Sequence, residues 1–181
     1  MSRRIARPYA AALFGVLEKE GTAVLRQAES QLASVSEVLR ADPAFLRAFE
    51  VPSVAPASKR ALIAAVAKAA ELRPETARLL VVMTEHVRLQ FLPEVVEVLR
   101  ALVDRREGLQ RGLVEVPAAL DASQVATLNA AMTQMLGRRV ELAAEVRPSL
   151  LAGFVVRVGS RIWDGSIETQ LRRFAASRDI S

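Results

Sequence analysis

The sequence has no cysteine, one histidine (His86) and few aromatic residues, 4% of the chain. Without cysteine there are no disulfides, no thiolate metal sites and no cysteine nucleophiles, which fits a reducing compartment. One histidine and no thiol would leave a zinc site dependent on carboxylates, a poor match to that metal's ligand preferences, so His86 reads as a helix-surface residue. The phosphate-cradling spacing G-x-x-x-x-G-K is missing, and Gly153 and Gly159 are separated by the strand-like run Phe154 to Val158. No G-x-S-x-G elbow is present to place a serine nucleophile beside a base. Glu141 and Glu145 fall on the wet side of their strand, where a carboxylate has no cause to become an acid catalyst. The expectation is a non-enzyme with no catalytic, cofactor-binding or metal-ligating residues, and no cofactor. Long apolar runs are missing too. The longest, Ala61 to Ala67, falls far short of the ~20 residues that span a bilayer, so no direct membrane insertion is expected.

What the chain does contain is 51% apolar residues in 181, enough for one large or two small cores built mainly of Leu, Val and Ala. Arginine outnumbers lysine 22 to 3, which together with abundant alanine reads as coding bias toward GC-rich codons. The net charge of +5 is spread evenly, with 15 basic and 12 acidic residues through Arg105 and 10 and 8 beyond it. Neither part is a basic arm, and stacking aromatics are scarce, so no nucleic-acid partner is expected. Ser2-Arg3-Arg4 ahead of an apolar stretch from Tyr9 to Leu17 imitates a secretion signal. Glu18-Lys19-Glu20 follows at once, no A-x-A site appears, and Pro8 is read as a first-turn proline of an ordinary amphipathic helix.

Helical periodicity fills the first part of the chain. A first helix is predicted from about Ile5 to Lys19, ending at Gly21, with Tyr9, Ala12, Leu13, Val16 and Leu17 apolar. Ala6, Ala10 and Ala11 widen that surface beyond what one buried face needs, which implies a partner. A second helix, about Thr22 to Ala41, carries Leu25, Ala28, Leu32, Val35 and Leu39 on one stripe. Asp42-Pro43 interrupts it and a short helix follows through Phe45, Leu46 and Phe49. After a loop from Val51 to Ser58, Ser58 is expected to cap a fourth helix with Leu62, Ala65, Val66 and Ala69 on its stripe. Pro74 opens a fifth, with Leu79, Leu80, Val82 and Met83. Leu92-Pro93 opens a sixth, with Val95, Val96, Leu99, Leu102 and Val103 buried. Six helices with short connections predict a bundle over 1–107.

The period changes after Gly108. Gln110 to Ala118 reads as a strand that Pro117 pushes toward a sheet edge. Asp121 and Gln124 have capping-box spacing before a helix with Val125, Leu128, Met132 and Met135, ending at Gly137. Val140, Leu142, Ala144 and Val146 alternate with polar or small residues as one buried strand face. Phe154, Val156 and Val158 alternate again, Gly159-Ser160 turns, and Arg161 to Asp164 returns as a hairpin. Arg157 is either a surface charge or a partner of Asp164. Asp164-Gly165-Ser166 is a turn in which Ser166 caps a last helix bearing Ile167, Leu171 and Phe174. The predicted fold is α+β overall: an N-terminal six-helix bundle, 1–107, then a small α+β C-terminal domain, 108–181.

Three stretches carry a family likeness: Ala6-Arg7-Pro8-Tyr9-Ala10 with Ala12 and Phe14; Arg88-Leu89 with Leu92-Pro93; and Leu151-Ala152-Gly153-Phe154-Val155-Val156-Arg157-Val158-Gly159 continuing through Asp164-Gly165-Ser166-Ile167 to Leu171. Through them the chain resembles the delta-subunit family of bacterial F-type ATP synthases, equivalent to the mitochondrial oligomycin-sensitivity-conferring protein. The resemblance spans essentially the whole chain. Arg147, Trp163 and Glu168-Thr169-Gln170 depart from the usual pattern. The resemblance implies a non-catalytic stator subunit of a proton-translocating synthase, linking the catalytic head to the peripheral stalk and resisting rotation. It implies a place at the cytoplasmic face of the cell membrane, held there as part of the complex.

By the same resemblance, an N-terminal helix of a head alpha subunit would enter the groove between the first and fifth helices, against Tyr9, Ala12, Leu13, Val16, Leu79, Val82, Met83 and His86. The C-terminal domain would meet the peripheral-stalk b subunits around Phe154, Trp163 and Ile167. Two other readings need different features. A helical nucleic-acid-binding regulator needs a dense basic recognition helix, whereas the fifth helix has only Arg78 within it and Arg88 at its end. A small-molecule-binding bundle needs an internal cavity.

Overall fold

A computed structural model describes residues 2–51, 54–167 and 169. These residues form seven α-helices and a small four-stranded mixed sheet, in two compact units, 1–107 and 108–181.

The first unit holds α1 (Ser2–Leu17), α2 (Thr22–Ala41), α3 (Pro43–Glu50), α4 (Pro56–Ala69), α5 (Pro74–Glu85) and α6 (Leu92–Arg106), with short 3-10 turns at Glu18–Glu20 and Leu89–Phe91. The predicted stripe of α2 is buried in full, from Leu25 through Leu39, against α1 and α6. Asp42 ends α2 and starts α3, its carboxylate accepting from Ala44 N and Phe45 N at 3.0 Å each. Phe49 of α3 is buried, with Phe45 edge-on to it at 5.4 Å.

Several expectations for this unit need correction. Helix α1 begins at Ser2, so Pro8 lies inside it rather than in its first turn. Without an amide hydrogen Pro8 cannot donate to the carbonyl four residues back, a local weakness that the surrounding packing outweighs. Ala6 and Ala10 are not surplus surface, because both are completely buried in the core; Ala11, Ala12 and Val16 are the exposed ones. Helix α4 starts at Pro56 with Ala55 in the cap position, so Ser58 is not the cap. Its core residue is Ile63, with Leu62 and Val66 packed partly against the core, while Ala65 and Ala69 face solvent. The proline supplies a helix-ready φ at the first position, which sets the start two residues earlier than a serine cap would.

An ion cluster ties α2 to α6. Arg26 donates to Glu29 at 2.9 Å and to Glu107 at 2.6 Å, and also pairs with Asp104, while Arg100 reaches the other oxygen of Glu29 at 2.6 Å. Three carboxylates around one guanidinium hold its charge on still more firmly than usual, the hydrogen bond with Glu107 contributing most.

The second unit holds β1 (Gln110–Val116), α7 (Ala122–Leu136), β2 (Val140–Val146), β3 (Val155–Val158) and β4 (Arg161–Asp164). The strand order is β2-β1-β3-β4, with β1 parallel to β2 through the α7 crossover and the other pairs antiparallel. β1 is therefore an inner strand, contrary to the edge position expected from Pro117. It ends at Val116, so the proline falls just outside the ladder and no ladder amide is lost.

The capping box forms as the spacing predicts: Asp121 accepts from Gln124 N at 2.8 Å and Gln124 Oε1 accepts from Asp121 N at 2.9 Å. The Ser123 hydroxyl, 2.6 Å away, is the main cause holding the Asp121 carboxyl below its ordinary range. Helix α7 covers one sheet face with Leu128, Met132 and Leu136, against Val114, Val140, Leu142, Val156 and Val158. Met135, expected on that stripe, is exposed, and Leu136 takes its place. The buried face of β2 also stops at Leu142; Ala144 and Val146 are exposed.

No helix among the described residues is long and apolar enough to cross a membrane. Ser166 starts a terminal turn, its Oγ accepting from Thr169 N at 3.3 Å. The predicted stripe positions Leu171 and Phe174 lie outside the described residues, as do Pro52 and Ser53 of the predicted loop.

Candidate functional site

A largely apolar concavity of the helical unit, about 600 Å³, lies between α1 and α5. The two helices run antiparallel, with the Arg73–Glu20 pair (2.6 Å) joining them at one end and the Arg88–Tyr9 contact at the other. On α1 the lining residues Tyr9, Ala12, Leu13 and Val16 recur at helical spacing; on α5 they are Leu79 and Val82. Tyr9, Leu13 and Leu79 anchor in the core and form the floor, while Val16 stands 59% exposed on the wall.

Six of the eight groove residues expected from sequence are thus brought together. Met83 is 0% exposed and belongs to the packing beneath the groove. His86 occupies the C-cap of α5, exposed and outside the lining.

The expected groove set lacked Pro8, Glu75, Arg78 and Arg88, which complete the lining. Glu75 and Arg78 sit on α5 one turn before the apolar residues and make a polar rim. Arg88 lies past the helix end, where no helical period reaches. Its position is set by the turn after α5: Arg88 N donates to Met83 O at 2.8 Å and Val87 N to Thr84 O at 3.1 Å, with Val87 at φ 54°. From there Arg88 Nη1 donates to Tyr9 Oη at 3.1 Å and its guanidinium lies 5.9 Å from the Tyr9 ring centroid. An apolar trough with charges at its rims can bury one face of an amphipathic helix and fix its register. It offers burial and orientation, not bond-making.

In the α+β unit the segment from Ala152 to Phe154 crosses the segment from Gly165 to Ile167. Gly165 N donates to Phe154 O at 2.9 Å and Ile167 N to Ala152 O at 3.1 Å. Gly153 has φ 93°, and a Cβ there would collide with the Gly165 carbonyl and stand 2.9 Å from Ser166 Cα. The two glycine-containing motifs of the sequence are therefore two sides of one close crossing. Phe154 and Ile167, one on each segment of the crossing, are both exposed. Trp163 instead faces the core, in the cross-strand row Ala144, Val114, Val156, Trp163 under α7. Leu151 (84% exposed) and Ile162 (62% exposed) are larger apolar exposures that sequence reading did not single out. Arg157 reaches Glu115 on β1 at 3.5 Å, beside Arg147, which donates to the same carboxylate at 2.8 Å. Asp164 accepts from Ser166 N at 2.9 Å and Thr169 Oγ1 at 2.8 Å.

Known proteins place this architecture. Residues 5–177 match the family described as ATP synthase delta (OSCP) subunit. The ATP synthase subunit delta of Citrifermentans bemidjiense is 32% identical over 169 residues, 93% of each chain. That of Maricaulis maris is 33% identical over 171 residues, 94% of each. That of Anaeromyxobacter sp. (strain Fw109-5) is 34% identical over 92% of each. The fold is shared with a chain of the Toxoplasma gondii mitochondrial ATP synthase hexamer, at a TM-score of 0.67 and 23% identity, covering 97% of this chain and 98% of that one. The chain belongs to the ATP synthase delta (OSCP) subunit family and is with it a non-catalytic stator component of an F-type ATP synthase.

Proposed function

We propose that this chain holds two partners in the complex: the N-terminal helix of a catalytic-head alpha subunit in the α1/α5 groove, and the ends of the peripheral-stalk b subunits on the α+β unit. The unit 1–107 is then the head-binding domain and 108–181 the stalk-binding domain, working at the cytoplasmic face of the cell membrane.

The observation that carries the reading is the groove itself, with Ala12 and Val16 exposed above a floor of Tyr9, Leu13 and Leu79. Apolar helix-in-groove burial gives tight holding without chemistry, which is what a stationary link needs. On the α+β unit the exposed residues Phe154 and Ile167, one on each segment of the glycine crossing, support the stalk contact, with Trp163 packed against the core of the same sheet. Two grips on one chain resist detachment better than one because the second engagement is intramolecular.

Ala12→Arg tests the head contact. Ala12 is exposed and outside the core, so the fold should tolerate the change while a long charged side chain fills the trough. Calorimetry with a peptide of the alpha N-terminus should show affinity at least about tenfold weaker, since an unpaired charge is desolvated at the contact centre. Unchanged affinity would move the contact elsewhere.

A further inference from the structure

A second groove, about 900 Å³, runs along the opposite flank of α1, between α1 and α6. These helices run parallel, joined by Arg3–Glu97 (3.5 Å) near their starts and by Arg106 donating to Glu18 O (3.2 Å) near their ends. The floor is apolar, with Ala11 of α1 and Ala101 and Leu102 of α6 in its lining. The walls are cationic: Arg4 and Arg7 on one side, Arg105 on the other.

This flank gathers cations around apolar surface. In the same unit Arg26, Arg60, Arg73, Arg100 and Arg106 are each held by a carboxylate, whereas Arg78 and Arg88 at the α1/α5 groove are not. Among the described residues Arg4, Arg7 and Arg105 have no such partner, and all three are exposed around one apolar trough. The only carboxylate in the lining, Glu97, already faces Arg3. The stretch from Val98 to Arg105 spans about 11 Å of helix, roughly two turns. Small residues at Ala11 and Ala101 leave room for a helix backbone to come close.

We propose that the α1/α6 groove is a second docking site, which takes an acidic amphipathic helix from a protein partner. Its apolar face would cover Ala11, Ala101 and Leu102, and its carboxylates would meet the three unpaired arginines from both walls. A bilayer fits the shape less well, because a planar surface would touch the arginine rim and leave the recessed floor uncovered. Nucleic acid fits the chemistry less well, because no aromatic side chain lines the trough for a base to stack on.

A benzophenone amino acid placed at Ala101 of the full chain, irradiated in the assembled ATP synthase, tests this, with a second probe at Val16 reporting the α1/α5 groove. The expected Ala101 adduct is a protein segment of helical apolar period in which carboxylates outnumber cations. The pair Arg4→Glu and Arg7→Glu should lower its yield about tenfold, as reversal of facing charges does, and leave the Val16 adduct unchanged. Should that pair also depress the Val16 yield, Arg105→Glu, which leaves α1 intact, decides by the same tenfold criterion. A lipid or nucleic-acid adduct, a basic or non-helical segment, a yield indifferent to charge reversal, or no Ala101 adduct would each overturn the proposal. Loss of the Val16 adduct alone would count against the α1/α5 reading and not against this one.

Discussion

Individual residues in this fold carry constraints of opposite kinds. Val87 is a β-branched residue in the left-handed region, φ 54°, at a helix end where glycine is the usual occupant. Val87→Gly should therefore raise stability by about 1 kcal/mol, the relieved left-handed strain exceeding the extra unfolded-chain entropy. A denaturant midpoint that does not rise would show that the turn pays no such strain. Gly153 is the converse case, since its φ of 93° and the adjacent Gly165 carbonyl leave no place for a Cβ. Gly153→Ala should cost about 3 kcal/mol and loosen the crossing between the segments that carry Phe154 and Ile167. Thermal unfolding of the full chain checks this: an unshifted α+β transition would contradict it. The family resemblance, laid on apolar stripes that helical spacing marks locally, named six residues that line the groove. Spacing could not place Arg88, whose approach to Tyr9 depends on a turn whose central residue gives no sequence warning.

The elements show where local pattern stops being sufficient. All six helices before the sheet and all four strands fall close to where periodicity predicts them, since helix and strand periods are written into short windows. Their faces are less predictable. The stripe of α4 turns toward Ile63, and β2 is exposed after Leu142, because burial depends on which distant side chains arrive against each face. Between α2 and α6 the decisive contact is ionic, and nothing in either helix alone announces it. Arg26 and its three carboxylates are mostly buried, with 10 to 25% of each side chain exposed. Arg26→Met should destabilise the helical unit by about 3 kcal/mol, chiefly by leaving buried carboxylates without their cation. A loss below 1 kcal/mol in urea unfolding, after allowing for water at the partly open side, would mean the cluster is held well enough by Arg100 and solvent.

At the scale of the whole molecule, each unit keeps its hydrophobic core within its own stretch of chain. The helical core runs from Ala6 to Val103 and the sheet core from Val114 to Trp163. A piece comprising 1–107 should accordingly melt cooperatively on its own and bind the alpha N-terminal peptide as the full chain does. A broad, non-cooperative melt would show that the unit needs the rest of the chain. Separate pull-downs of the two pieces against soluble head and stalk then assign each partner to its half.

By itself the sequence determined the kind and order of the elements, the change of period near Gly108 and the family, because these are properties of neighbouring residues along the chain. Only the tertiary structure decided that Ala6 and Ala10 are core while Ala11, Ala12 and Val16 are surface, that Pro8 lies within a helix, that β1 is central, and that α1 carries a groove on either flank. The reason is that burial is set by which distant segment arrives against a face. A helix such as α1, apolar without a break from Tyr9 to Phe14, leaves that choice open until α5 and α6 are in place.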